Sequence, residues 1–174
     1  MKRTYAYKAG FTLVELLIVI VVIGILAAIS IVAYNGVIGR ARDSQRAQDM
    51  NTIKNALLMY DAENGGVRHT TTNPRYNTQT TAAAVNAGGW DSSVQPNWLA
   101  FLNEEYGKMP VDPVNELTAG TNPSLDAGAR IYIYHCYTPT AGNNPYPGFS
   151  AVRLGYRNEN SEMIYDNFKV TECI

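Results

Sequence analysis

The chain is poor in the side chains that most often carry chemistry, with two cysteines and two histidines in 174 residues. Cys136 and Cys173 lack the paired spacing of a zinc site, and the sequence has neither a phosphate-cradling glycine loop nor a paired-carboxylate motif. His135 and Cys136 are adjacent, but neighbours on a strand point to opposite faces and form no dyad. His69 stands in a polar stretch. These absences argue against an enzyme. Charge is equally sparse: 14 basic and 15 acidic residues give a net charge of −1. That balance argues against a basic nucleic-acid binder and against an acidic solvating tail. No N-x-S/T sequon occurs, so N-glycosylation is not signalled.

What the chain does have is one long apolar run near its start. Within "KAGFTLVELLIVIVVIGILAAISIVAY", residues 8–34, only Gly24 interrupts the aliphatic residues from Leu16 to Ile29. About 20 apolar residues span a hydrocarbon core of about 30 Å, and Phe11 to Ala33 meets that length. Lys2, Arg3 and Lys8 precede the run and favour a cytoplasmic N-terminus. Arg40, Arg42 and Arg46 follow it, partly offset by Asp43 and Asp49. A cleaved secretory signal and a plain signal-anchor both share this outline. Neither explains Glu15, an ionisable residue at the lip of the segment that calls for a partner or a task.

The stretch "KAGFTLVELLIVIVVIGILAAI" closely resembles the N-terminus of type IV pilins and of type II secretion pseudopilins. The resemblance implies a basic leader, residues 1–10, that a prepilin peptidase removes by cutting between Gly10 and Phe11. It implies N-methylation of Phe11 and retention of the apolar segment. Glu15 matches the family's glutamate, whose carboxylate is thought to pair with the terminal amine of a neighbouring subunit during assembly. Two opposite charges attract strongly in a medium of low dielectric and are costly when left unmatched, so the pair works as a register check. The resemblance further implies a homo-oligomeric helical filament, an inner-membrane assembly platform and a motor ATPase as partners. The chain would be a single-pass membrane protein before assembly and an extracellular filament, or a periplasmic pseudopilus, afterwards. One departure is Val32, which stands where many pilins carry a proline.

Beyond the run, Met50, Ile53, Leu57 and Tyr60 recur at helical spacing and predict one buried face. Arg46, Asp49, Lys54 and Asp61 fall between them, and the basic cluster reads as an ordinary solvated face. Gly65 and Gly66 predict the helix end. The expected fold is therefore α+β, a long N-terminal helix packed on a small antiparallel sheet. The helix covers residues 11–64, with 11–34 as transmembrane segment or filament core and 35–64 amphipathic; the head covers residues 65–174. Residues 67–96 read as a polar loop with a short helix near Thr81 to Ala87. "NWLAFLNEEYG" reads as a short helix capped by Asn97, burying Trp98, Phe101 and Leu102 and closing at Gly107. Three strands, "ARIYIYHCYT", "SAVRLGYR" and "EMIYDNFKV", form a meander through turns at "NNPYPG" and "NENS". Their tyrosines suit half-buried strand positions better than an adhesive face.

"MPVDPVN" resembles the Pro-x-Asp-Pro element that precedes the sheet in pseudopilins, where the region helps to bind calcium. Asp112 and Asn115, with Glu116 or Asp126 further on, offer hard oxygen ligands, and Asp112 as a turn former is the alternative. An exported head would join Cys136 to Cys173, as many pilins do near their C-terminus. DNA is not indicated as a partner. A non-polymerising, membrane-anchored binding domain is the contrasting possibility, for which Glu15 has no task.

Overall fold

The computed structural model describes residues 10–68, 91–94, 98–116 and 127–174. The predicted helix near Thr81 to Ala87, Asn97 and Asp126 lie outside these residues, as do His69 and most of the leader. The chain divides into two compact units, one ending at Arg40 and the other running from Ala41 to Ile174.

In the first unit, helix α1 (Leu13–Asn64) opens on a reciprocal cap. Thr12 donates its amide and its hydroxyl to Glu15 Oε2, both at 2.7 Å, and its Oγ1 accepts the Glu15 amide at 3.2 Å. Thr12-x-x-Glu15 is thus a capping box, satisfying amides that the first turn leaves without carbonyl partners. Onward to Val37, every large apolar side chain described is at least 48 % exposed.

In the second unit α1 becomes one-sided. Met50, Ile53, Ala56, Leu57 and Tyr60 are buried, as the stripe predicts. They pack on a four-stranded sheet, ordered β1-β2-β3-β4 and antiparallel throughout. Its strands are β1 (Asp91–Ser92), β2 (Tyr132–Tyr137), β3 (Ala151–Arg157) and β4 (Met163–Lys169). The register sets Tyr134 opposite Leu154 and Leu154 opposite Asp166, and Cys136, Val152 and Phe168 in the next row. With Tyr132 these residues form the face toward α1, and Tyr132 and Tyr134 are fully buried. Tyr132 and Tyr134 of β2 therefore pack the core. β1 was not expected; it is two residues long and carries no alternation from which to predict it.

Helix α2 (Ala100–Tyr106) adds Phe101 and Leu102 to the core and closes at Gly107, whose φ is +82°. Its start corrects the sequence reading. Leu99, at φ 45° and ψ 41°, occupies the cap position and no side chain caps the helix. A left-handed leucine is strained, and a buried carboxylate holds it: Asp91 Oδ2 accepts the Leu99 amide at 3.1 Å while Oδ1 accepts that of Ser92 at 2.8 Å.

The C-terminus is clamped to the end of α1. Gly65, at φ +72°, ends the helix, and its amide donates to the carbonyl of Asp61. A Cβ on Gly66 would lie 2.9 Å from the carbonyl oxygen of Glu172, so the second glycine permits close approach of the terminal segment. Val67 donates its amide to the Glu172 carbonyl and accepts the Ile174 amide, and Asp61 accepts the Thr171 amide at 2.9 Å. The disulfide Cys136–Cys173, with Cα atoms 5.8 Å apart, fixes it to β2. Closing a loop of this length stabilises by about 3–4 kcal/mol in the chain-entropy model.

Burial pushes the Asp91 carboxyl up to about 7, although the Leu99 and Ser92 amides oppose the shift. Between the unfolded value near 4 and this folded value, the native state binds the extra proton. Asp91 therefore makes stability fall as pH rises through that window, by up to a few kcal/mol. Asp49, also raised by burial, acts in the same direction. The expected outcome in thermal melts from pH 5 to pH 8 is a shallower decline for Asp91→Asn than for the parent chain. An identical slope in both would show that Asp91 does not bind the proton.

Candidate functional site: an exposed apolar helix and a buried ion cluster

The apolar half of α1 is long and apolar enough to cross a membrane. Fully burying a large apolar side chain gains roughly 1.5–3 kcal/mol, so the row from Phe11 to Val37 would forgo tens of kcal/mol in water. That exceeds the roughly 5–15 kcal/mol net stability of a domain. The segment needs lipid or protein around it.

Glu15 is the one acidic or basic residue in this half before Arg40. Both hydrogen bonds that its carboxylate accepts use Oε2, leaving Oε1 without a partner among the described residues. The carboxylate thus completes a cap with one oxygen and presents the other. Gly10 and Phe11 precede the helix, and Phe11 is 86 % exposed.

At the head, the calcium candidates face another charge. Asp112 is buried and receives a forked pair from Arg46, Nε to Oδ2 at 2.7 Å and Nη2 to Oδ1 at 3.2 Å. Its Oδ1 also accepts the Val114 amide at 2.9 Å, which makes Asp112 the turn former of the Pro-x-Asp-Pro element. Asn115, at φ 52°, accepts a hydrogen bond from the Ser93 hydroxyl at 2.6 Å. Glu116 bridges Arg130 through the backbone. No cluster of three or more metal-ligating side chains occurs among the described residues.

Arg46 is the functional residue that the sequence reading misplaced. It is not on a solvated face but fully buried. Its Nη1 also donates to Asp43 at 2.8 Å and to Glu159 at 2.7 Å, and the Glu159 amide donates to Asp43 at 3.1 Å. Burial alone would lower the guanidinium pKa, but the hydrogen bonds to Asp112, Glu159 and Asp43 raise it. The signal was present in the spacing, since 46, 50, 53, 57 and 60 form one continuous stripe. Further along α1, Asp49 accepts the Tyr132 hydroxyl at 2.6 Å, and Lys54 pairs with Asp166 at 2.9 Å.

The chain thus joins a helix that is apolar at its start and capped by Thr12 and Glu15 to a small antiparallel sheet, an α+β arrangement. Residues 5–31 match the family described as "Prokaryotic N-terminal methylation motif", the signature of type IV pilins and pseudopilins. The chain is similar to "Fimbrial protein EcpC" of Eikenella corrodens, 41 % identical over 58 residues, which is 33 % of this chain and 38 % of that protein. This chain therefore spans well under half of that relative's length. No solved structure matches it.

Arg46 retains two carboxylates if Asp112 is removed, yet it loses the forked pair in a buried setting. Asp112→Ala is expected to destabilise the head by about 3 kcal/mol, read as a lowered midpoint in urea with an unchanged slope. Added calcium should leave the parent midpoint where it is. A calcium-dependent rise that Asp112→Ala abolishes would return Asp112 to the role of a ligand.

Proposed function

We propose that the chain is a structural subunit of a type IV pilus-like filament. It is made as a membrane-inserted precursor, cut between Gly10 and Phe11 by a prepilin peptidase, and N-methylated on Phe11. The observation that carries the reading is the methylation motif on residues 5–31, which ends inside a helix that is exposed and apolar on all sides. Such a segment exchanges lipid for identical neighbours at little cost, because its surroundings remain apolar in both states.

The role of Glu15 follows from its oxygens. Oε2 closes the cap, and Oε1 is available to the α-amino cation of a neighbouring mature chain. In an apolar filament core the unpaired carboxylate and amine are both costly, so subunits docked at the wrong height are disfavoured by several kcal/mol. Glu15 thus sets the axial register of an open, head-to-tail assembly. Energy for assembly comes from the motor ATPase acting through an inner-membrane platform, and the subunit itself performs no reaction. The mature chain resides in the membrane before assembly and in a surface filament, or a periplasmic pseudopilus, afterwards.

Intact-mass and N-terminal fragmentation analysis of the chain from cells and from sheared surface material tests this. The expected form begins at methylated Phe11 and is abundant in the sheared fraction. The same processed form confined to membranes would make the chain a pseudopilin or minor subunit. A chain retaining "MKRTYAYKAG" would refute the reading in favour of an anchored, non-polymerising domain. Glu15→Ala is expected to remain membrane-inserted while filaments disappear from the sheared fraction; undiminished filaments would remove the register role.

A further inference from the structure

The sheet has two faces with opposite electrostatic character. Toward α1, each buried or half-buried cation is matched by acid, Arg46 by three carboxylates and Lys54 by Asp166. The outward positions follow from the register: Ile133, His135 and Tyr137 on β2, then Ala151, Arg153, Gly155 and Arg157 on β3, then Met163, Tyr165, Asn167 and Lys169 on β4. None of these is acidic. Arg153 and Lys169 have no ion-pair partner among the described residues. Ile133, His135, Tyr137, Ala151 and Arg157 are buried, and the accessible part, around Arg153, Tyr165, Asn167 and Lys169, carries only positive charge in a chain of net charge −1.

Its cations are held in place by rings. Lys169 Nζ stands 3.6 Å from the Phe149 ring centre and 5.6 Å from that of Tyr146. Arg153 lies between the rings of Tyr137 and Tyr165, 5.2 and 5.1 Å from their centres, and donates from Nε to Asn167 Oδ1 at 2.9 Å. Gly155 makes room for this arrangement, because a Cβ there would stand 2.8 Å from the Tyr165 ring. Phe149 and Tyr165 remain 53 % and 38 % exposed.

We propose that this face, built from Arg153, Tyr165, Asn167, Lys169, Tyr146 and Phe149, binds a carboxylate-bearing polysaccharide. Arg153 and Lys169 lie on neighbouring strands in diagonal positions, a separation of about 7–8 Å in such pairs, and each addresses one anionic group. The amide of Asn167 and the hydroxyl of Tyr165 offer hydrogen bonds to sugar hydroxyls. A single-stranded nucleic acid fits less well, since it needs free ring faces for base stacking and here cations lie on those faces. A fibre of many copies would carry this face many times over, and weak single contacts would sum along one polymer. That display rests on the filament reading above; the binding itself does not.

The test uses the full chain in detergent micelles, electrophoresed through gels containing polygalacturonate, neutral dextran or oligo(dT). Retardation is expected with polygalacturonate and not with dextran, and weaker by roughly five- to tenfold between 50 and 200 mM salt. Lys169→Glu should weaken it by about fivefold or more, Lys169→Gln less, while Lys169→Arg retains it. Circular dichroism of each variant separates lost binding from lost folding. Equal or stronger retention by oligo(dT) would reassign the face to nucleic acid and overturn the proposal. Absence of retardation, or binding indifferent to Lys169→Glu and Lys169→Gln, would overturn it as well. Normal filaments without binding sink only this inference. Retained micelle binding by a chain that never polymerises sinks only the filament reading.

Discussion

The guanidinium of Arg46 is sealed from water inside the head, so all of its charge must be answered by protein. Three carboxylates from three places answer it: Asp43 one turn earlier on α1, Asp112 in the loop after α2, and Glu159 in the turn between β3 and β4. Removing Asp112 would leave Nε and Nη2 of a buried guanidinium without the acceptors they use. A well-packed apolar cluster of similar volume would hold the same segments together at least as strongly. What the ionic arrangement adds is direction. A forked pair between a planar guanidinium and a carboxylate fixes both distance and angle, and so fixes where the loop and the turn meet the helix.

From that point the helix serves two environments with two kinds of surface. Up to Val37 its side chains are apolar on every side, which suits lipid or a bundle of identical helices and admits no head. From Asp43 onward one stripe is buried and the remainder is mostly polar, with Leu58 and Met59 exposed. Both surfaces lie on one uninterrupted run of helix, Leu13–Asn64. The helix continues through the change; side-chain chemistry separates the exposed apolar part from the part that carries the head.

Much of this was legible in sequence where the determinant is local or periodic. The stripe at 50, 53, 57 and 60, the paired glycines at 65 and 66, and the alternation of the long strands each depend on a few neighbouring residues. Where the determinant lies far along the chain, the reading failed. Arg46 falls on the same stripe, but its reason for being buried lies 66 and 113 positions away, at Asp112 and Glu159. Leu99 has no helix-capping chemistry of its own and begins α2 because Asp91, eight positions earlier, takes its amide. β1 is too short to show a period. The cap at Thr12 could have been read, since Thr-x-x-Glu before an apolar run is a known signature. The resemblance gave Glu15 a role between subunits and drew attention away from its role within one.

The anchors of the head bear on a single mechanical question, how a load applied along α1 would pass into the sheet. Between Asp43 and Asp61, about 27 Å of helix, polar contacts tie α1 to the sheet side at Arg46, Asp49, Lys54 and Asp61. Apolar side chains fill the intervals at 50, 53, 57 and 60. A pull along α1 is therefore resisted at several points in parallel and not at one end. The far end is closed twice, by the backbone pairing of Val67 with residues 172–174 and by the disulfide to β2. Shear along such an interface must break the contacts together, whereas peeling from a free end would break them one at a time. Clamping the C-terminus removes the free end from which peeling would begin.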